Sequence, residues 1–235
     1  MNSLFHLKMS YITLDNISLP CRILQYPLSE GSLTIYLLHI HSLRLLSDQI
    51  TDLLPKERVS RTMRFVREPD RLRSLAAGFL IEYIRDQHKA GELMVTDKDK
   101  PYFPGGPHFN LSHSGHYVVM AVSDCPVGID IEQIHPVKDS LINILNTDEK
   151  AFVHKHKEPY RAFFHLWTRK ESLMKCTGEG IAAIPVGDIP SLAPGEENIT
   201  SKEETFTFRG VKYRRISTEN DEYTLSVTVG GYPVP

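Results

Sequence analysis

The stretch Val127-Gly128-Ile129-Asp130-Ile131-Glu132 alternates apolar and acidic side chains. A period of two predicts a β-strand in which Ile129 and Ile131 face a core while Asp130 and Glu132 share the opposite face. Two neighbouring carboxylates repel each other unless a cation lies between them. Hard oxygen ligands on a rigid strand suit Mg²⁺, which binds one or two carboxylates together with waters and substrate phosphates. A solvated acidic strand face is the alternative interpretation of so short a motif.

The segments on either side of this strand predict a mixed architecture. Residues 33–40 and 117–122 have the composition of strands, and residues 70–87 have the apolar spacing of a long helix. The second half has helices from Thr147 and Pro159 and then an alternating hairpin at 206–216 and 223–229. The polar stretch 191–204 is expected to be exposed. Helices and strands in both halves fit an α+β fold of two similar subdomains, 1–115 and 116–235.

A second acidic motif lies in the helix that begins at Pro159, in the run Trp167 to Lys175. Glu171 and Lys175 are one helical turn apart and therefore share a face. A carboxylate beside an ammonium suits a metal-bound diphosphate, with Glu171 for the metal and Lys175 for a phosphate oxygen. An ordinary surface ion pair at this spacing is the alternative.

Two further segments have the chemistry of phosphate binding. Ser112 and His113 follow a Pro- and Gly-rich loop, where a hydroxyl and backbone N–H groups can contact a phosphate. Arg58 and Arg61 share one face of a basic helix, and arginine presents a rigid fork of donors to phosphate. A hydrogen-bonded loop histidine and a solvated basic helix are the competing interpretations.

Bulk composition limits the possible partners. Lys and Arg number 27 against 29 Asp and Glu, a formal net charge of −2, which gives no general attraction to nucleic acid or to an anionic membrane. No secretion signal or membrane-spanning run is visible. The three widely spaced cysteines suggest neither a disulfide framework nor a zinc site, so a cytoplasmic protein is expected.

Taken together and in order, these motifs resemble the Sfp-type 4′-phosphopantetheinyl transferase family, in the branch with a Lys-Glu-Ser motif. The resemblance covers roughly residues 56–180, and the elements that carry it are the Arg58–Arg61 helix, Arg73-Ser74, Lys100-Pro101, Phe109 to Ser114, Gly128 to Glu132 and Trp167 to Lys175. It implies the family fold, a pseudo-dimer of two α/β subdomains. It also implies transfer of phosphopantetheine from coenzyme A to a serine of an acyl, peptidyl or polyketide carrier protein, with release of 3′,5′-ADP.

The resemblance also implies a role for each matching residue. Asp130, Glu132 and Glu171 correspond to the metal-binding acids, for Mg²⁺ or Mn²⁺, and Asp130, Glu171 and Lys175 to the catalytic groups. The coenzyme A contacts correspond to Arg58, Arg61, Arg73, Ser74, Lys100, Pro101, Ser112, His113 and Lys175. A monomeric enzyme without nucleic-acid or membrane partners is expected. Two rival functions are a Mg²⁺-dependent phosphohydrolase and a non-catalytic module that binds coenzyme A or a carrier protein.

Overall fold

The computed structural model of the chain describes residues 7–28, 31–179, 184–192, 196, 199 and 202–233. These residues form two compact units, an N-terminal unit that ends at Asp124 and a C-terminal unit that begins at Cys125. Each unit combines helices with an antiparallel sheet, so the expected mixture of α and β structure is confirmed. No helix in the described residues is long and apolar enough to cross a membrane.

The N-terminal unit contains a five-stranded antiparallel sheet in the order β1-β2-β3-β7-β6. Its strands, together with the separate short pair β4 and β5, are Met9–Leu14 (β1), Ile17–Pro27 (β2), Ser32–His39 (β3), Met94–Val95 (β4), Pro101–Tyr102 (β5), His108–Ser114 (β6) and Tyr117–Ser123 (β7). Strands β6 and β7 pair directly, with Ser114 opposite Tyr117, so the division expected at 115/116 would separate a hairpin. Ser112 and His113 lie within β6 and not in a loop, because both pair with β7.

Helices of the N-terminal unit cover one face of this sheet. They are Ser47–Leu53 (α1), Lys56–Met63 (α2) and Glu68–Gln87 (α3). A proline in the first turn of α3 has no N–H to satisfy there and fits the helix start. Leu72, Phe79 and Leu80 of α3 are buried in one cluster with Leu19 of β2 and Val118 of β7. This contact of helix and sheet forms a core within the unit.

The C-terminal unit contains a four-stranded antiparallel sheet in the order β8-β11-β10-β9. Its elements are Val127–Gln133 (β8), Asp139–Ile142 (α4), Thr147–Lys155 (α5), Pro159–Thr177 (α6), Lys202–Phe208 (β9), Val211–Glu219 (β10) and Tyr223–Pro233 (β11). The second strand of the predicted hairpin is β11, but the first, 206–216, was wrong in its bounds: it combines the end of β9 with most of β10, because the chain turns at Arg209 and Gly210. Helix α6 ends at Thr177 and is capped by Gly178, whose φ of 73° is the left-handed conformation that glycine adopts readily.

The prediction that 191–204 is an exposed loop was wrong at both ends of the segment. Ser191 is 2% exposed, because its hydroxyl donates to Glu149 Oε1 at 2.5 Å and its carbonyl accepts from Arg169 at 2.8 Å. Strand β9 begins at Lys202 and pairs with β10. Polar composition suggested solvent exposure, but buried partners satisfy the polar groups of Ser191.

Candidate active site

The acidic strand predicted from the sequence is β8, and its alternation holds. Ile129 and Ile131 are fully buried, and Asp130 is 2% exposed whereas Glu132 is partly exposed. Antiparallel pairing with β11 fixes the strand along its whole length, from Val127 to Gln133. Because residues two apart share a face, Asp130 and Glu132 present their carboxylates on the same side of the sheet.

Gly128 lets helix α6 approach this face of β8 closely. A Cβ atom placed at Gly128 would lie 2.1 Å from the carbonyl oxygen of Ser172 and 2.3 Å from the amide nitrogen of Cys176. A residue with a side chain at this position would therefore push the helix away. The close contact holds Glu171 and Lys175, one helical turn apart on α6, against the acidic strand.

Glu171 and Lys175 complete a group of charged side chains with the two acids of β8. Lys175 Nζ lies 2.5 Å from Asp130 Oδ1. Burial raises the pKa of the Glu171 carboxyl to about 7; the charge of Asp130 raises it too, Lys175 lowers it, and Glu132 adds a smaller upward effect. The contact of Lys175 with Asp130 places the helix motif against the acidic strand.

The donor set of this group fits Mg²⁺ in its chemistry. All three acids offer hard oxygens, and repulsion among them would be relieved by a cation. Across the part of the chain that the structure describes, however, no group of three His, Cys, Asp or Glu side chains has the arrangement of a ready metal site. Lys175 is the cation on Asp130 instead. A metal would therefore share Asp130 with the ammonium or displace it.

Two neighbours of Glu171 have structural roles that the sequence did not reveal. Lys170 is fully buried, and its Nζ lies 2.6 Å from Glu149 Oε1 and donates to the carbonyls of Val186 at 2.8 Å and Ile189 at 2.6 Å. Ser172 is also fully buried and shares a hydrogen bond of 2.8 Å with Thr228 of β11. The Lys-Glu-Ser motif therefore anchors Glu171 from both sides. In the sequence, the only sign that Lys170 and Ser172 are buried is the apolar residues that flank the motif, among them Trp167 and Leu173.

The two arginines predicted to share a face of α2, in the N-terminal unit, differ in how far they are buried. Arg58 is half-buried, its Nη2 donates to the Ser74 carbonyl at 3.0 Å, and burial lowers the pKa of its guanidinium. Arg61 is exposed. Ser74 is 8% exposed, and its hydroxyl shares a 2.7 Å hydrogen bond with Thr62. Arg58 and Ser74 thus connect α2 to α3.

A pocket with a volume of about 430 Å³ lies between α2 and α3. Arg58, Arg61 and Arg85 contribute its positive groups, and Leu54 and Ile81 are among its apolar walls. Glu82 ion-pairs with Arg85 beside it. The pocket therefore has a mixed polar and apolar lining.

Other predicted phosphate contacts gather near the β6–β7 turn. Arg73 of α3 donates to the Gly115 carbonyl at 2.5 Å and ion-pairs with Asp70, which brings α3 beside the Ser112–His113 segment. Ser112 is 9% exposed, and His113 is exposed on β6. Pro101 begins β5, and Lys100 directly precedes it. The backbone amide of Lys100 donates to Thr96 Oγ1 at 3.1 Å.

Residues 126–228 match the family model of the 4′-phosphopantetheinyl transferase superfamily. Over these residues the chain is similar to this superfamily. The matched phosphopantetheinyl transferase region includes Asp130, Glu132, Glu171 and Lys175, whereas the predicted coenzyme A contacts of the N-terminal unit lie outside it.

Individual relatives confirm the resemblance to the Sfp-type family. The chain is 30% identical over 146 residues to the 4′-phosphopantetheinyl transferase ffp of Bacillus subtilis, which is 58% of this chain and 65% of that protein. It is 49% identical over 78 residues to psf-1 of Bacillus pumilus, 32% of this chain and 34% of that protein. It is 29% identical over 146 residues to Sfp of Bacillus subtilis (strain 168), 58% of this chain and 65% of that protein. The chain thus spans less than two thirds of each of these phosphopantetheinyl transferases.

Proposed function

We propose that the protein transfers the 4′-phosphopantetheine group of coenzyme A to a serine of a carrier protein and releases 3′,5′-ADP. The observation that carries this proposal is the grouping of Asp130, Glu132, Glu171 and Lys175 within the residues that match the superfamily model. Three acids that can hold a cation, together with one ammonium, suit a reaction in which negative charge builds on a diphosphate.

The metal part of the proposal assigns Asp130, Glu132 and Glu171 to Mg²⁺, with Mn²⁺ as a substitute. When bound, such a cation polarises the phosphorus and neutralises charge on the leaving diphosphate oxygen. Asp130 is held by β8 and Glu171 by α6, and Gly128 keeps the two elements close. The protein would therefore supply its carboxylates with little rearrangement of the backbone.

The proposed transfer forms one bond and breaks one bond. The carrier serine oxygen attacks the phosphorus attached to pantetheine, and the diphosphate P–O bond to the 3′,5′-ADP portion breaks. Glu171, or a water held beside it, takes the serine proton as general base. Lys175, which is 29% exposed, stabilises the leaving diphosphate oxygen.

The residues of the N-terminal unit are proposed to bind the nucleotide part of coenzyme A. Arg58, Arg61, Arg73 and Ser74 are assigned to the 3′-phosphate end, Lys100 and Pro101 to the adenine, and Ser112 and His113 to the phosphates. The basic and hydroxyl side chains of these residues support the assignment. We further propose a pseudo-dimeric pair of similar units, since each has a long helix on an antiparallel sheet. A monomeric cytoplasmic enzyme with an acyl, peptidyl or polyketide carrier as its protein substrate completes the proposal.

Mass spectrometry of carrier proteins tests this function directly. The protein is incubated with coenzyme A, Mg²⁺ and a panel of apo carrier proteins. Addition of phosphopantetheine to the carrier serine is the expected result. Hydrolysis of coenzyme A without carrier modification would instead indicate a phosphohydrolase, and binding without turnover a non-catalytic module. In Glu171→Gln we expect coenzyme A binding to persist and transfer to fall by about a hundredfold or more.

A further inference from the structure

Three hydroxyl side chains of β11 face α6 in the C-terminal unit: Thr224, Ser226 and Thr228. They alternate along the strand, as residues on one face must, and each is at most 1% exposed. The strand register pairs them with the acidic strand β8: Thr224 with Glu132, Ser226 with Asp130 and Thr228 with Gly128. This hydroxyl row therefore lies beside the predicted metal ligands.

Each hydroxyl of the row bonds to a successive turn of α6. Thr224 Oγ1 donates to the Phe164 carbonyl at 3.2 Å. Ser226 shares a hydrogen bond of 3.1 Å with Thr168, and Thr228 shares one of 2.8 Å with Ser172. Two strand residues advance by about 6.6 Å, and four helix residues advance by about 6.0 Å. The two spacings agree closely enough to maintain three contacts in succession.

A slide of α6 along β11 would break all three contacts together. A slide of one helical turn, about 5.4 Å, would separate Lys175 from Asp130 and displace Glu171 by the same distance. Apolar packing has no preferred direction and tolerates sliding. Of the three strand hydroxyls, Ser226 would keep its 3.1 Å hydrogen bond with Ser217. The buried hydroxyls of Thr224 and Thr228 would lose the helix partners described above, which is costly.

We infer that Thr168, Ser172, Ser226 and Thr228 are positioning residues that set the register of α6, and with it the placement of Glu171 and Lys175 against Asp130. The expected effect of these residues on the transfer rate rests on the proposed function. Their effect on metal affinity can be measured without coenzyme A or a carrier protein.

The pair Ser172 and Thr228 offers a clean deletion. Ser172 Oγ donates to the Arg169 carbonyl at 3.0 Å and can accept from Thr228, so Ser172→Ala with Thr228→Val removes both hydroxyls of one contact. Removing both partners of a buried hydrogen bond costs little stability, so we expect the Tm to change by no more than about 4 °C. The kcat of transfer should nevertheless fall about tenfold or more while the KM for coenzyme A changes little.

Two further variants separate positioning from folding. Val227→Ala removes a buried side chain of the same strand on the opposite face and should lower the Tm as much or more while kcat is kept. The exchange Ser172→Thr with Thr228→Ser keeps both hydroxyls and approximately conserves volume, so it should restore kcat toward the wild-type value.

Mn²⁺ affinity, measured by electron paramagnetic resonance on the protein alone, completes the test. We expect the hydroxyl-deleted pair to bind Mn²⁺ about fivefold or more weakly, and the exchanged pair to bind like wild type. Wild-type affinity and wild-type kcat in the deleted pair would overturn the inference. A wild-type protein that modifies no carrier would refute the proposed transfer reaction instead, and the Mn²⁺ affinities would then decide the inference alone.

Discussion

Gly128 of β8 and Ser172 of α6 approach so closely that a Cβ atom at 128 would lie 2.1 Å from the Ser172 carbonyl oxygen. The contact joins the two motifs that the sequence presented separately, the acidic strand and the Lys-Glu-Ser helix. The α6 atoms that face Gly128 belong to the helix backbone, and they cannot rotate away as a side chain can. The distance between the acids of β8 and Glu171 therefore depends on the absence of one methyl group.

Gly128→Ala should displace α6 and reduce both stability and transfer. Accommodating the added carbon requires movement of the helix backbone, which we expect to cost about 1–3 kcal/mol or more of the free energy of unfolding. Chemical denaturation measures that cost, and Mn²⁺ binding measures the displacement of Glu171. Gly91→Ala is the matched control, because no atom lies within 4 Å of the Cβ position there. Equal stabilities of the two variants would contradict the close packing of α6 on β8.

Lys170→Met should be strongly destabilising, although Lys170 only neighbours Glu171 and contacts no substrate group in the proposed reaction. Removing the ammonium leaves Glu149, 2% exposed, with an uncompensated charge. Breaking a buried ion pair in this way costs about 3–5 kcal/mol, whereas removing both charges is far less costly. Urea unfolding should therefore show that Lys170→Met with Glu149→Gln is more stable than Lys170→Met alone.

The exposed pair Arg209 and Glu179 provides the comparison for that experiment. Arg209 Nη1 lies 2.9 Å from Glu179 Oε2, and the two side chains are 53% and 41% exposed. Arg209→Gln should change the free energy of unfolding by less than about 1 kcal/mol. If Lys170→Met were equally mild, Lys170 would not be the buried anchor described above.

The sequence predicted the acidic face of β8 but not the contacts that hold it against α6. Alternation along a strand and spacing along a helix are local properties, so Asp130 with Glu132, and Glu171 with Lys175, could be placed from the sequence. The close approach at Gly128 and the burial of Lys170 depend on residues distant in the chain, and no local pattern encodes them. The strands β1 and β2 were missed because β1 begins with exposed residues and β2 contains Pro20, which usually argues against a strand.

Lys175→Met should make the protein more dependent on Mg²⁺ for stability while slowing transfer. Lys175 Nζ lies 2.5 Å from Asp130 Oδ1 and offsets the charge of that buried carboxylate. Without the ammonium, the carboxylates keep more negative charge, so Mg²⁺ should bind them more tightly. A ligand that binds the folded state stabilises it by mass action. Thermal unfolding with and without Mg²⁺ should show a larger Tm increase in Lys175→Met than in wild type. The transfer rate should fall about a hundredfold; full activity would exclude a role for Lys175 in stabilising the leaving group.

Stability of the C-terminal unit should decrease in mild acid because of His165. Burial lowers the pKa of this imidazole to about 4, even though its Nε2 lies 3.6 Å from Glu196 Oε1, an interaction that opposes the shift. Between its ordinary pKa of 6.5 and about 4 the unfolded chain binds a proton that the folded chain does not. The contribution is therefore fully present above pH 6.5 and is lost as the pH falls toward 4, at about 1.4 kcal/mol per pH unit. Urea unfolding at pH 7 and pH 5 should show a smaller loss in His165→Gln than in wild type. Exposed His88→Gln is the control, and an identical pH dependence in all three proteins would show that His165 is not held neutral.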